Sequence, residues 1–155
     1  MVQLVLIVMA VVVALYVSCA VHEVGHAVVA LAIGSRVRTI EIGHRARLAT
    51  LRVRRLRFIV RLFRLAGVTH CEVPRTRPRR AWLALGGVGA NAVVAALGLV
   101  AIALNAWSPP FVLLVITNGA GVMNLIPWPP RRTMKGGSDA WVLAGVLVGG
   151  RFTSR

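Results

Sequence analysis

The sequence predicts an α-helical polytopic membrane protein. It would have about three transmembrane helices, a short C-terminal half-helix, and a small β-rich segment at the cytoplasmic interface after the first helix. Three observations carry that expectation. Of the 155 residues, 57% are hydrophobic, and mean hydropathy is +0.77, which is more apolar than an ordinary soluble domain. Long uncharged runs recur along the chain. The 19 Lys and Arg residues, against 4 Asp and Glu, give a net charge of +15. They lie between the apolar runs, where positive charge marks cytoplasmic loops. A single membrane domain over 1–155 is expected.

The same distribution argues against nucleic acid, because base-stacking aromatics hardly interleave with the arginines, Phe58 and Phe63 alone standing among those of 36–80. Two cysteines, Cys19 and Cys71, make no disulfide framework. Cys19 reads as a small buried hydrophobe. The first residues carry no basic side chain and the apolar run is long, so no cleavable signal peptide is expected.

The first helix, about residues 2–34, would be roughly 45 Å long, more than the ~30 Å hydrocarbon core. It must tilt or extend into the interface. It contains His22-Glu23-Val24-Gly25-His26, and Glu23 is the one charged residue between Leu4 and Gly34. On a helix, residues four apart share a face. Both imidazoles can therefore reach one zinc ion, and Glu23 is placed to take a proton from water there. A glutamate inside an apolar helix is costly and marks function. Gly25 and Ala27 would let another helix approach closely.

The basic insert, about 36–80, holds 14 arginines. Val37, Ile40 and Ile42 suggest a strand ending at Gly43. Leu56 and Phe58 alternate with Arg55 and Arg57, and Gly67 to Val73 suggests a further strand. A small antiparallel sheet is the expectation. The alternative is an amphipathic surface helix over 54–65, since Arg54, Arg57, Arg61 and Arg64 fit a helical face. The charge would touch anionic lipid and fix topology. His44 and His70 read as surface or hydrogen-bonded residues, and Pro74 to Pro78 as a loop.

The second helix, about 81–106, is uncharged and bounded by Trp82 and Trp107, residues suited to the two membrane interfaces. A turn over 105–110 leads to a third helix, about 110–127, with Trp128 just beyond. A basic, proline-rich connection over 127–135 follows. The last apolar stretch, about 138–150, begins with Asp139 and is too short to span. The arginines put 36–80 and 131–135 in the cytoplasm of a multi-pass cell-membrane protein, with the N-terminus outside.

Catalytic zinc usually has three protein ligands and an open position. Asp139 is the remaining acid beside a membrane segment, so His22, His26 and Asp139 are the expected ligands of one zinc ion per chain.

With those residues in place, the chain resembles the site-2 protease family of intramembrane zinc metalloproteases. The resemblance rests on His22-Glu23-Val24-Gly25-His26, on Gly87-Val88-Gly89-Ala90-Asn91, on Asn124-Leu125-Ile126-Pro127, and on Asp139. It spans roughly residues 15–145. It implies peptide-bond hydrolysis in or near the transmembrane segment of another membrane protein. Glu23 would be the base, and Asn91 and Asn124 would contact substrate or the developing oxyanion. The chain departs from the family pattern at Val88, often Pro, at Ala140, often Gly, and in a longer gap from Pro127 to Asp139. A catalytically inactive relative that binds metal or a membrane partner is the competing expectation.

Overall fold

A computed structural model describes residues 1–62, 66–104, 108–126 and 139–148. Trp107, Pro127, Trp128 and the basic connection 131–135 lie outside the described residues. So do residues 105–107 of the expected 105–110 turn and the outer ends of the half-helix.

The chain is mostly helical. Helix α1 runs Val2–Ala32. Its end is built locally. Gly34 adopts φ +80, its N–H reaches Leu31 O at 3.0 Å, and the Ser35 N–H reaches Ala30 O at 2.8 Å. This is a left-handed glycine cap that satisfies the last carbonyls. Four strands follow: β1 (Val37–Ile42), β2 (Arg47–Val53), β3 (Leu56–Arg61) and β4 (Gly67–Cys71). Then come α2 (Arg77–Ala103), α3 (Pro109–Val122) with a 3-10 turn over Met123–Leu125, and α4 (Asp139–Val148).

Helices α1 and α2 are long and apolar enough to cross a membrane. With its 3-10 turn, α3 reaches only about 27 Å. At about 15 Å, α4 is half a span. Helix α2 packs on α1, α3 and α4, and α1 also packs on α3. The α1–α2 approach depends on small residues. A side chain at Gly25 would run into the Gly86 carbonyl, and a Cβ at Gly86 would lie 2.9 Å from Gly25 O. Side chains over the first ten residues, about a third of α1, are exposed.

The insert is a sheet, so the alternative surface helix over 54–65 is overturned: residues 56–61 form β3. The expected antiparallel pairing is also corrected. The strand order is β2-β3-β1-β4, with β1 parallel to β3 and antiparallel to β4. The physical reason is β2, a strand the sequence reading did not assign. It reverses the chain between β1 and β3, so those two run the same way and pair directly. The reversal begins at Gly43, φ +88, and Arg45, φ 65.

This pairing puts the apolar strands in the middle. Ile40 and Ile42 form a cluster with Ala27 of α1, flanked by Tyr16, Cys19, Ala20, Val37, Leu56 and Phe58. Each fully buried aliphatic side chain there contributes about 1.5–3 kcal/mol. The sheet is thereby held against the second half of α1, where the His-Glu-x-x-His motif lies.

Helix α2 starts at Arg77, earlier than the expected 81. Pro78 falls in its first turn, where proline's missing N–H has no intrahelical partner to lose. Residues read as loop are therefore helix. Likewise α3 starts at Pro109.

Candidate metal centre

His22 and His26 project from one face of α1 toward α2, and Asp139 enters from the first turn of α4. The three form one cluster of possible metal-holding side chains. The two Nε2 atoms are 3.2 Å apart. Asp139 Oδ2 lies 3.0 Å from His22 Nε2, and Asp139 Oδ1 lies 3.3 Å from His26 Nε2. Ligands of a tetrahedral zinc at 2.0–2.1 Å stand about 3.3 Å from one another. The three spacings fit that value. Imidazole nitrogens and carboxylate oxygens are also ordinary zinc ligands.

Gly87 explains how α2 can face this cluster. A Cβ there would lie 2.6 Å from the Nε2 atoms of both histidines. Any side chain would occupy the place where the ligand atoms converge. One turn on, Asn91 is 1% exposed and meets the other ring nitrogen of His22, with Nδ2 3.3 Å from Nδ1. His26 Nδ1 lies 2.7 Å from Leu83 O. As an N–H donor to that carbonyl, it leaves Nε2 free as a lone-pair ligand.

The same logic applies to His22. Its Nδ1 then carries the proton, and the Asn91 amide must present oxygen. Amide oxygen and nitrogen are assigned, not distinguished by shape. Turning the amide lets Oδ1 accept from the His22 Nδ1–H and sets Nδ2 in the buried position that the oxygen leaves. Gly121 of α3 backs Asn91 closely, and a side chain at Gly121 would overlap the amide.

Glu23, 5% exposed, points to the sheet. The Thr69 hydroxyl lies 2.7 Å from Glu23 Oε2 and 2.9 Å from Glu23 O. With one proton, it donates to one of them at a time. Beside it, a Cβ at Gly67 would collide with the Glu23 side chain, within 2.5 Å of Oε1. Strand β4 thus forms a seat for this carboxylate. Cys71 lies on the same strand, and burial first, then the Glu23 charge, pushes its thiol up from the ordinary value.

Comparison with protein-family models matches residues 10–110 to Peptidase family M50, a match that takes in most of the chain. The chain belongs to peptidase family M50. This is the site-2 protease family, as its motifs suggested. A comparison with curated proteins finds no match.

The M50 match covers His22, Glu23, His26 and Asn91. Asp139 and Asn124 lie beyond it, so Asp139 joins the site on geometry alone. Asn124 is exposed in the 3-10 turn, which packs on α4, and no described hydrogen bond joins it to the cluster. The structure sets Asn91 against a histidine, deep in the helix packing. His44 is exposed, and His70 is exposed with Nε2 3.9 Å from Glu41 Oε1. Cys19 belongs to the apolar cluster on β1.

Sequence reasoning missed Thr69, Gly67 and Leu83. A threonine in a strand and a backbone carbonyl carry no sequence signal. A glycine opening β4 carries a weak one, as a mark of close approach.

Proposed function

We propose that this M50 member is a zinc-dependent intramembrane endopeptidase that cuts a peptide bond in or near the transmembrane segment of a membrane-protein substrate. The observation that carries the reading is the convergence of His22, His26 and Asp139 beside a glutamate seated on the sheet. His22, His26 and Asp139 would hold one zinc ion. Zinc supplies a Lewis acid that acidifies water and polarises a carbonyl. Glu23 takes the proton from the attacking water and returns it to the leaving amine nitrogen. Thr69 holds the carboxylate in the orientation for that transfer. Asn91 and Leu83 O fix the two imidazole rings.

The departures at Val88 and Ala140 are both buried apolar positions and add no group to the metal set. Strand β4 is an edge of the sheet. A substrate unwound into extended form can pair with it, which brings its backbone beside Glu23. Helices α1, α2 and α3 would cross a cell membrane, with the N-terminus outside and the arginine-rich segment 36–80 against the anionic cytoplasmic leaflet.

The test combines metal analysis with cleavage in reconstituted bilayers. Wild type and Glu23→Gln should each hold about one zinc per chain, while His22→Ala and Asp139→Ala hold far less. Wild type alone should cut co-reconstituted single-span substrates, at bonds located by mass spectrometry. A wild type that takes up no zinc when resupplied overturns the metal reading. Zinc-loaded wild type no faster than Glu23→Gln overturns the peptidase reading.

A further inference from the structure

The β2–β3 hairpin concentrates positive charge in a way that folding alone does not favour. The register sets Arg52 opposite Arg57, and like charges directly opposite on paired strands are destabilising. The two-residue turn between the strands is Arg54-Arg55, with Arg54 in the left-handed region at φ 52. Such turns ordinarily place Asn, Asp or Gly there. Arg38 of β1 joins Arg52, Arg55 and Arg57 to line a cleft of about 400 Å³. One acid is at hand: Glu72 Oε1, 3.8 Å from Arg38 Nη2, with both side chains largely exposed. A pair of that kind offsets little.

The opposite face of the hairpin is apolar. Leu51 pairs with Phe58, and Val53 with Leu56. Phe58 and Leu56 pack toward α1. Leu51 and Val53 overhang on the same face, 63% and 50% exposed. The hairpin therefore has an arginine face and an exposed leucine–valine face on opposite sides of one sheet layer.

We infer that this hairpin is a discrete binding site for the phosphate headgroup of an anionic lipid. The arginine forks of Arg38, Arg52, Arg55 and Arg57 match phosphate oxygens bidentately. Leu51 and Val53 enter the acyl layer beside the same lipid. A bound phosphate also relieves the Arg52–Arg57 repulsion, so one ligand accounts for both the charge and its cost. A nucleic acid would supply phosphate but leaves the apolar face in water, and no aromatic interleaves the four arginines for base stacking. The inference rests on the membrane placement proposed above and not on peptidase activity.

The experiment uses the full chain in neutral detergent. Binding of phosphatidylglycerol and phosphatidylcholine is titrated by native mass spectrometry, and melting is followed with and without each lipid. Wild type should prefer phosphatidylglycerol. The Arg52→Thr/Arg57→Thr double variant should lose about 30-fold in that affinity, about fivefold per arginine. Arg75→Thr/Arg79→Thr removes equal charge outside the cleft and should bind as wild type does. Without lipid, the first double variant should melt above wild type, because a repulsion is gone. It should also lose the rise that phosphatidylglycerol gives the wild type.

Equal losses in the two double variants would reduce the site to diffuse charge and overturn the inference. Competition by inorganic phosphate at concentrations matching the lipid would make it a free-anion site. Tighter binding of an oligonucleotide would assign it to nucleic acid. A first double variant that melts below wild type without lipid would make the arginines structural.

Discussion

The helical side and the sheet side of the site hold their residues by different means. On the helical side, α1 and α4 place the three candidate ligand atoms, and backbone geometry does most of the positioning. His22 and His26 are aligned by helical spacing, and Gly87 keeps α2 out of their way. On the sheet side, β4 places a single functional group through one hydroxyl and one missing side chain, Thr69 and Gly67. The contrast teaches that, on the reading proposed above, metal occupancy and base orientation would be separable properties. Zinc content would report on the helices alone, and turnover on both.

That separation can be broken by substitution. Gly87→Ala should have the largest effect, because its methyl group would lie 2.6 Å from both Nε2 atoms. Zinc and activity should disappear together, as read by elemental analysis and a cleavage assay. Gly67→Ala pushes on Glu23 from the sheet. It should keep wild-type zinc and lose about 100-fold in kcat, the scale of a roughly 1 Å misplacement. If Gly67→Ala loses its metal, the two sides are not independent.

Asn91→Ala removes the partner of His22 Nδ1, and zinc affinity should fall about 10–100-fold in a chelator competition. The smallest effect should be at Thr69. Thr69→Val should lower kcat about tenfold through a lost hydrogen bond to a carboxylate, with KM and zinc unchanged. Thr69→Ser should restore the rate. A valine variant as fast as wild type would remove Thr69 from the positioning of the base.

The legibility of the site follows the same division. His22, Glu23 and His26 were readable because charge and imidazole are rare inside an apolar helix, and their spacing is local. Asp139 was readable from the scarcity of acids. Gly87 and Asn91 were visible as a pattern, but not for what they do, because their partners sit on α1. Thr69 was invisible, since nothing in Gly67–Cys71 hints that one face of it meets a glutamate on α1. The sheet shows the same limit. Strands β1, β3 and β4 betray themselves by alternation, whereas β2 interleaves arginine with leucine and alanine and pairs at an exposed edge. Parallel pairing of β1 with β3 follows from β2, so missing one strand misassigned the sheet. Pro78 misled in the opposite direction, since proline marks a loop and a helix's first turn equally well.

The cluster draws its last member from α4, the final described helix. During synthesis the ribosome releases α1, with both histidines, long before Asp139 exists. The nascent chain carries an incomplete ligand set while the sheet, α2 and α3 are made. On the reading proposed above, zinc capture by all three side chains would wait until α4 docks on α2. A chain stalled or clipped before that point would lack the third ligand, so the proposed activity would begin only once the last described helix is in place.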